Sequence, residues 1–234
     1  MGNTSHQLIV STRNVKKLEE LESLLRGIQS PDGGTFTLSS AADRGVPEVE
    51  ETGVTFTDNA ILKAAAAFRT TGEVCLADDS GLVVDALDGA PGVYSARFSG
   101  PNATDQSNNE ALLRRLADTP AAHRQAAFVC HLALLVPKGW LSAPLHVPEV
   151  NHPDVPAQAR LFVFEGRVEG HILTEYRGDG GFGYDPLFLH VPTAQTFAEL
   201  DAATKNIISH RGRALAKLRA ALLRLWPTPS EPPQ

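Results

Sequence analysis

The chain has 234 residues, 42% of them hydrophobic and 21% charged. That is ordinary globular composition, and it excludes disorder, collagen and coiled coil as descriptions of the whole chain. Lys and Arg number 21 against 27 Asp and Glu, a formal net charge of −6. This balance argues against nucleic-acid coating, which needs a basic face, but leaves room for a small anionic ligand on a local basic cluster. A chain of this length buries roughly 70–75% of its unfolded surface and needs no covalent staples. Cys75 and Cys130 sit in apolar runs without metal-ligand spacing and read as buried thiols. No secretory signal is expected, and no uncharged apolar run approaches the about 20 residues of a membrane helix. The protein reads as cytoplasmic.

In chain order, Gln7-Leu8-Ile9-Val10-Ser11 is a short apolar strand. Residues 15–27 follow as a helix, with Val15, Leu18, Leu21, Leu24 and Leu25 near a 3.6 period and Gly27 as the stop. Pro31-Asp32-Gly33-Gly34 is a turn before a second strand over 35–39. Thr57-Asp58-Asn59 caps an alanine-rich helix. Residues 73–77 form a strand ending at Asp78-Asp79-Ser80-Gly81, and residues 81–85 form another. Gly89-Ala90-Pro91-Gly92 is a turn, residues 105–117 a helix and residues 126–136 a buried strand. Residues 137–158 hold five prolines and little periodicity, which predicts an inserted loop. Residues 160–173 read as a hairpin turning at Glu165-Gly166-Arg167. A glycine-rich loop over 178–186 and a last helix over 209–225 complete the pattern. The expected organisation is a single domain over 1–225 and a proline-rich, disordered tail over 226–234. Strands alternating with helices predict an α/β fold with a mixed sheet.

Four features point to chemistry. Ser11-Thr12-Arg13-Asn14-Val15-Lys16-Lys17 lies where the first strand meets the first helix. Free N–H groups and the positive dipole end favour phosphate there, and cations in a first turn oppose the dipole unless an anion is near. Asp78-Asp79 is a carboxylate pair whose repulsion a divalent cation would offset, and Mg²⁺ takes carboxylate and phosphate oxygens. Alternation sends the two side chains to opposite faces. Glu48, Glu50 and Glu51, read alone, are a solvated charge run. The loop Gly178-Asp179-Gly180-Gly181-Phe182-Gly183-Tyr184 fits G-x-G-x-x-G on paper, but no helix follows and no βαβ unit surrounds it. Aromatic rings on such a backbone suit stacking on a base instead. Lys205 and Ser209-His210-Arg211-Gly212-Arg213 form a second basic patch able to donate to an anion or a carbonyl-rich base edge. Lys63, four residues after Asn59 on one helix face, has the reach of a phosphate ligand. Together these features describe a nucleoside-phosphate site with a divalent cation.

The chain resembles the inosine triphosphate pyrophosphatase family. The resemblance is carried by Ser11-Thr12-Arg13-Asn14-Val15-Lys16-Lys17, Glu50-Glu51-Thr52-Gly53-Val54-Thr55-Phe56, Asn59-Ala60-Ile61-Leu62-Lys63-Ala64 and Ala77-Asp78-Asp79-Ser80-Gly81-Leu82. It continues in Gly89-Ala90-Pro91-Gly92-Val93-Tyr94-Ser95-Ala96-Arg97, Gly180-Gly181-Phe182-Gly183-Tyr184-Asp185-Pro186 and Ser209-His210-Arg211-Gly212. It implies hydrolysis of ITP, dITP and XTP to the monophosphate and pyrophosphate with Mg²⁺. It implies a homodimer, and an elongated mixed sheet flanked by helices in two lobes with a central substrate cleft. By the same resemblance Thr12, Arg13, Asn14, Val15, Lys16 and Lys17 hold the triphosphate, Asp79 is the catalytic carboxylate that binds the metal or activates water, and Glu50 or Glu51 helps with the metal. Ser80 touches the nucleotide, Phe182, Gly183, Tyr184 and Asp185 hold the base, and Lys205, His210 and Arg211 meet its oxo edge. A nucleotide sensor without catalysis, or a pyrophosphatase for another modified nucleotide, would use many of the same residues.

Overall fold

The computed structural model describes residues 5–12, 18, 19, 21, 35–141 and 144–225. Strands β1 (Ser5–Ser11), β2 (Thr35–Ser40), β3 (Val74–Val84), β4 (Gln125–Pro137), β5 (Ala159–Ile172), β6 (Phe188–His190) and β7 (Gln195–Thr196) form one sheet in the order β2-β1-β3-β4-β5-β6-β7. β1 runs parallel to β2 and β3, whereas β6 runs antiparallel to β5 and β7. The sheet is therefore mixed, and the fold class is α/β. The helices are α1 (Phe56–Thr71), α2 (Asp105–Arg115), α3 (Ala202–Ile208) and α4 (His210–Leu225).

The chain divides into two compact units, each assembled from separated segments. The first comprises Met1–Asp78, His131–Phe164 and Ala214–Gln234; the second comprises Asp79–Cys130 and Glu165–Arg213. The boundaries fall inside β3, β4, β5 and α4. No linker composition marks them, because a strand or a helix reads the same on both sides of such a boundary.

The first unit is built around α1. Thr55 caps it by accepting from Asp58 N at 3.1 Å, and Gly72 ends it in a left-handed conformation. The cap thus stands two residues before the predicted one. Ala60, Ile61, Ala64, Ala65 and Phe68 pack with Ile9, Cys75, Ala77, Ala133 and Leu135. The small alanine side chains let the helix backbone approach its apolar neighbours closely. Residues 138–141 and 144–158 are irregular beyond the end of β4, yet they are tied down. Lys138 N donates to Gln158 O at 2.7 Å, Val150 N donates to Leu161 O at 3.0 Å, and Val150 and Val155 cover the same core.

The second unit packs Leu82, Val84, Leu112, Leu116, Phe128, Val168, Tyr184, Leu187, Phe188 and Phe197 into its own core. Thr104 and Ser107 form a reciprocal capping box at the start of α2.

Three element predictions are corrected. The strands predicted on either side of Asp78-Asp79-Ser80-Gly81 are one strand, β3, so the acidic pair lies in mid-strand rather than in a turn. The predicted hairpin over 160–173 is also one strand, β5. Glu165, Gly166 and Arg167 alternate exposed, buried and exposed, which is strand periodicity and not a turn. Gly170, farther along β5, shows why glycine appears in a strand here: a Cβ on it would lie 2.6 Å from the Phe188 ring. The last helix is preceded by a separate helix, α3, because Ser209 breaks the run with an extended ψ of 160°. The first predicted helix, over 15–27, and the tail after Leu225 lie outside the described residues, apart from Leu18, Glu19 and Leu21, which are helical.

Candidate functional site

In the second unit, charged and aromatic side chains converge from β3, the 178–186 loop, α3 and α4. Asp201 caps α3 by accepting from Thr204 N at 2.9 Å, which sets Lys205 one turn into the helix. Lys205 Nζ donates to Asp185 Oδ2 at 2.6 Å, and both side chains are buried. The same Asp185 oxygen accepts from Phe182 N at 2.8 Å, and Lys205 Nζ stands 4.6 Å from the Phe182 ring centroid. One carboxylate therefore fixes an ammonium and the backbone that carries an aromatic ring. Gly181 is required beside it: its φ is +73°, and a Cβ would collide with the Asp185 carboxylate.

Ser209 ends α3 and caps α4, its Oγ accepting from Gly212 N at 3.1 Å. That corner places His210 and Arg211 in the first turn of α4. Gly212 permits the corner, since a Cβ there would overlap Asn206 O. The His210 ring stacks on Phe128, with centroids 4.9 Å apart and planes 13° apart. Phe128 in turn packs on Phe188 and Phe197. Arg211 is only 2% exposed and donates from Nη2 to Ser80 Oγ at 3.1 Å. The sequence read this segment as a basic helix start; the structure buries it. A buried guanidinium needs polar company, and Ser80 supplies part of it.

Asp79 begins this unit and is 6% exposed, while Asp78, at 1%, ends the other. The burial of both excludes an ordinary solvated turn. Tyr184 Oη donates to Ser95 O at 2.9 Å. Burial, followed by the charge of Asp105, pushes its hydroxyl well above the usual tyrosine range. Tyr184 thus serves as a neutral hydrogen-bond donor anchoring the loop from below.

In the first unit, the segment before α1 is held by Asn59, which is fully buried and accepts from Gly53 N at 2.8 Å. This folds Glu51 back along the helix, where its Oε1 pairs with Lys63 Nζ at 2.7 Å. Glu50 beside it is exposed. Ser11 is buried at the end of β1 and Thr12 half-buried just after it. Arg13, Asn14, Val15, Lys16 and Lys17 lie outside the described residues. Among the described residues no group of three or more His, Cys, Asp and Glu is gathered in the manner of a metal cage.

The structure therefore brings together Ser80 with Arg211, Asp185 with Lys205 and Phe182, and Glu51 with Lys63. Sequence reading missed Asn59 as a support, Phe128 under His210, and Asp105 with Asn109. The Asp105 carboxylate accepts from Gly183 N at 2.8 Å, and Asn109 Nδ2 donates to Gly183 O at 2.8 Å. Nothing in a helix-start Asp or a helical Asn announces a contact 74 or 78 residues away.

In this α/β fold a buried ion pair, Lys205–Asp185, stands beside the glycine-framed ring of Phe182. Comparison with known proteins gives the family. The model of the Ham1 family matches residues 8–221. A dITP/XTP pyrophosphatase of Geobacter sulfurreducens is 48% identical over 214 residues, 91% of this chain and 94% of that protein. One of Desulforamulus reducens is 48% identical over 222 residues, 94% of this chain and 97% of its own length. Among solved structures, a HAM1 protein from Coxiella burnetii matches with a TM-score of 0.77 at 38% identity, covering 94% of this chain and 99% of that one. A dITP/XTP pyrophosphatase from Mycobacterium abscessus matches with a TM-score of 0.66 at 41% identity, covering 91% and 98%. The chain belongs to the Ham1 family.

Proposed function

We propose that this chain is a nucleoside triphosphate pyrophosphatase that hydrolyses the non-standard purine nucleotides ITP, dITP and XTP to the monophosphate and pyrophosphate. The observation that carries the reading is the buried Asp185–Lys205 pair beside Phe182, with Arg211 buried against Ser80, in a chain 48% identical to proteins named dITP/XTP pyrophosphatase. Phe182 stacks on the base, with Gly183 and Tyr184 framing it. Lys205, His210 and Arg211 donate to its 6-oxo edge. The 6-amino group of adenine cannot accept those hydrogen bonds and would leave buried donors unsatisfied, so ATP is rejected. GTP shares the 6-oxo group and differs at position 2, which makes it the sharper control.

Thr12 to Lys17 hold the triphosphate, with Lys63 as a further phosphate ligand that Glu51 orients. Water attacks the α-phosphorus, the bond to the β-phosphate breaks, and pyrophosphate leaves. The Asp79 carboxylate takes the proton of the attacking water. Asp79 would hold Mg²⁺ through its carboxylate, with Glu51 or Glu50 as the second carboxylate proposed for it. Such a cation is held by one or two carboxylates and the substrate phosphates, so it needs no all-protein cage. When bound it neutralises phosphate charge. A cytoplasmic homodimer completes the proposal. Sedimentation tests its assembly; among the described residues no helix is long and apolar enough to cross a membrane.

The test is pyrophosphate release from ITP, XTP, ATP and GTP with and without Mg²⁺, in the wild type and in Asp79→Asn. Mg²⁺-dependent release from ITP and XTP, slow release from ATP and GTP, and a loss of about 10²–10⁴-fold in the variant support the proposal. Binding of all four without release would make the chain a nucleotide sensor. Full activity of Asp79→Asn would remove that residue from the chemistry.

A further inference from the structure

We infer that Asp105 and Asn109, on the first two turns of α2, are positioning residues that set base selectivity by clamping the peptide units on both sides of Gly183. The inference rests on the reading of Phe182, Gly183, Tyr184 and Asp185 as the base-holding loop.

The loop has a mechanical problem. Phe182 stands between Gly181 and Gly183, whose φ values are +73° and +62°. Two glycines on either side of one aromatic residue leave its backbone free to swing unless outside groups hold it. On the Gly181 side the hold comes from within the loop, where Asp185 Oδ2 accepts from Phe182 N at 2.8 Å. On the Gly183 side it comes from α2. Asp105 Oδ2 accepts from Gly183 N, and Asn109 Nδ2 donates to Gly183 O, both at 2.8 Å. Both backbone polar groups of one glycine are thereby engaged by a single helix.

The clamp is itself braced. Asp105 and Asn109 are one helical turn apart on one face, and Asn109 Nδ2 also donates to Asp105 O at 2.9 Å. The capping box of Thr104 and Ser107 fixes the first turn that presents Asp105. Asn109 is 2% exposed, so its amide cannot turn to water in exchange for Gly183. Immediately after the clamped glycine, Tyr184 Oη holds Ser95 O at 2.9 Å. The loop is thus tied to α2 and to the Gly92–Arg97 turn as well as to Lys205. Neither residue touches the proposed base-reading atoms; each acts on them through Gly183.

Two measurements test this. The first needs no substrate: hydrogen exchange of peptides covering 178–186, in wild type, Asp105→Ala, Asn109→Ala and Asp105→Asn. Exchange at least tenfold faster in both alanine variants, with near wild-type protection in Asp105→Asn, whose amide oxygen still accepts from Gly183 N, supports the clamp. Unchanged exchange in the alanine variants overturns it, whatever the enzyme turns over. The second is the kcat and KM split for ITP and for ATP. The clamp predicts that KM for ITP rises about tenfold in Asp105→Ala, that the ITP-to-ATP preference falls by a similar factor, and that Asp105→Asn restores both. A fall in kcat equal for both nucleotides at constant KM would mean lost folded protein only, and would overturn the selectivity role. If Asn109→Ala fails to fold, Asp105→Ala, whose side chain is the exposed member, decides alone. Absence of ITP turnover in the wild type would defeat the proposed function and leave the exchange result standing.

Discussion

Each unit holds a short ion pair beside a proposed ligand group, and the two pairs differ in burial. In the second, the side chains of Lys205 and Asp185 are 9% and 4% exposed, and Arg211 is buried beside Ser80. In the first, Lys63 and Glu51 form an equally short ion pair, but their side chains are 15% and 28% exposed. Burying charge is costly, and a fold that does so holds a fixed arrangement of donors and acceptors. Fixed, dry donors discriminate between ligands that differ by one hydrogen-bonding group. A half-exposed pair discriminates less and yields more readily. It suits a triphosphate, which is flexible, highly charged and accompanied by its own cation. Under the proposed function the buried pair serves base selection and the more exposed pair serves phosphate charge.

Removing one member of each pair tests that division. Lys205→Met removes the counter-charge of the buried Asp185 carboxylate and is expected to destabilise the fold by about 3–5 kcal/mol in urea denaturation. The double variant Lys205→Met, Asp185→Leu should recover part of that loss while remaining unable to tell ITP from ATP. Lys63→Met should shift stability by less than about 1 kcal/mol, because a partly exposed pair contributes little. It should nevertheless raise KM for the triphosphate. Equal stability losses for Lys63→Met and Lys205→Met would erase the contrast between the units. The smallest effect concerns Cys75, at the packed interior of the first unit. Burial, opposed weakly by a hydrogen bond with Thr71, pushes its thiol up to about 12. A raised acid pKa keeps the group protonated throughout the neutral range, and the thiolate is the reactive form. Iodoacetamide at pH 8 should therefore label Cys75 only after unfolding. Rapid labelling of the native protein would show the first unit's core to be looser than its packing.

Parts of this arrangement are legible in the sequence. The chemistry-bearing stretches around Asp79, Phe182 and Arg211 stand out because glycines, paired acids and clustered cations are poor choices for an ordinary core. The mixed α/β fold follows from alternating periodicities. What the sequence hides is context. Asp78-Asp79-Ser80-Gly81 carries turn-forming residues, yet β3 runs straight through it, past the end of its pairing with β1 at Ala77, since tertiary context outweighs local preference. Gly166 and Gly170 suggest a hairpin, whereas Gly170 in fact makes room for Phe188. Ser209 was visible as a helix start, but not as the end of α3, because a residue that caps one helix and terminates another leaves a single signature. Asn59, Asp105 and Asn109 are ordinary helix residues until the chain folds, and their partners are backbone atoms that carry no sequence signal.

The most direct test of selection by the second unit separates recognition from catalysis: calorimetric titration of the wild-type protein with IMP and with AMP. Donors aimed at a 6-oxo group predict that IMP binds about a hundredfold tighter than AMP or more. Equal affinities would mean that Lys205, His210 and Arg211 do not read the base, and the division of labour between the two units would fall with them.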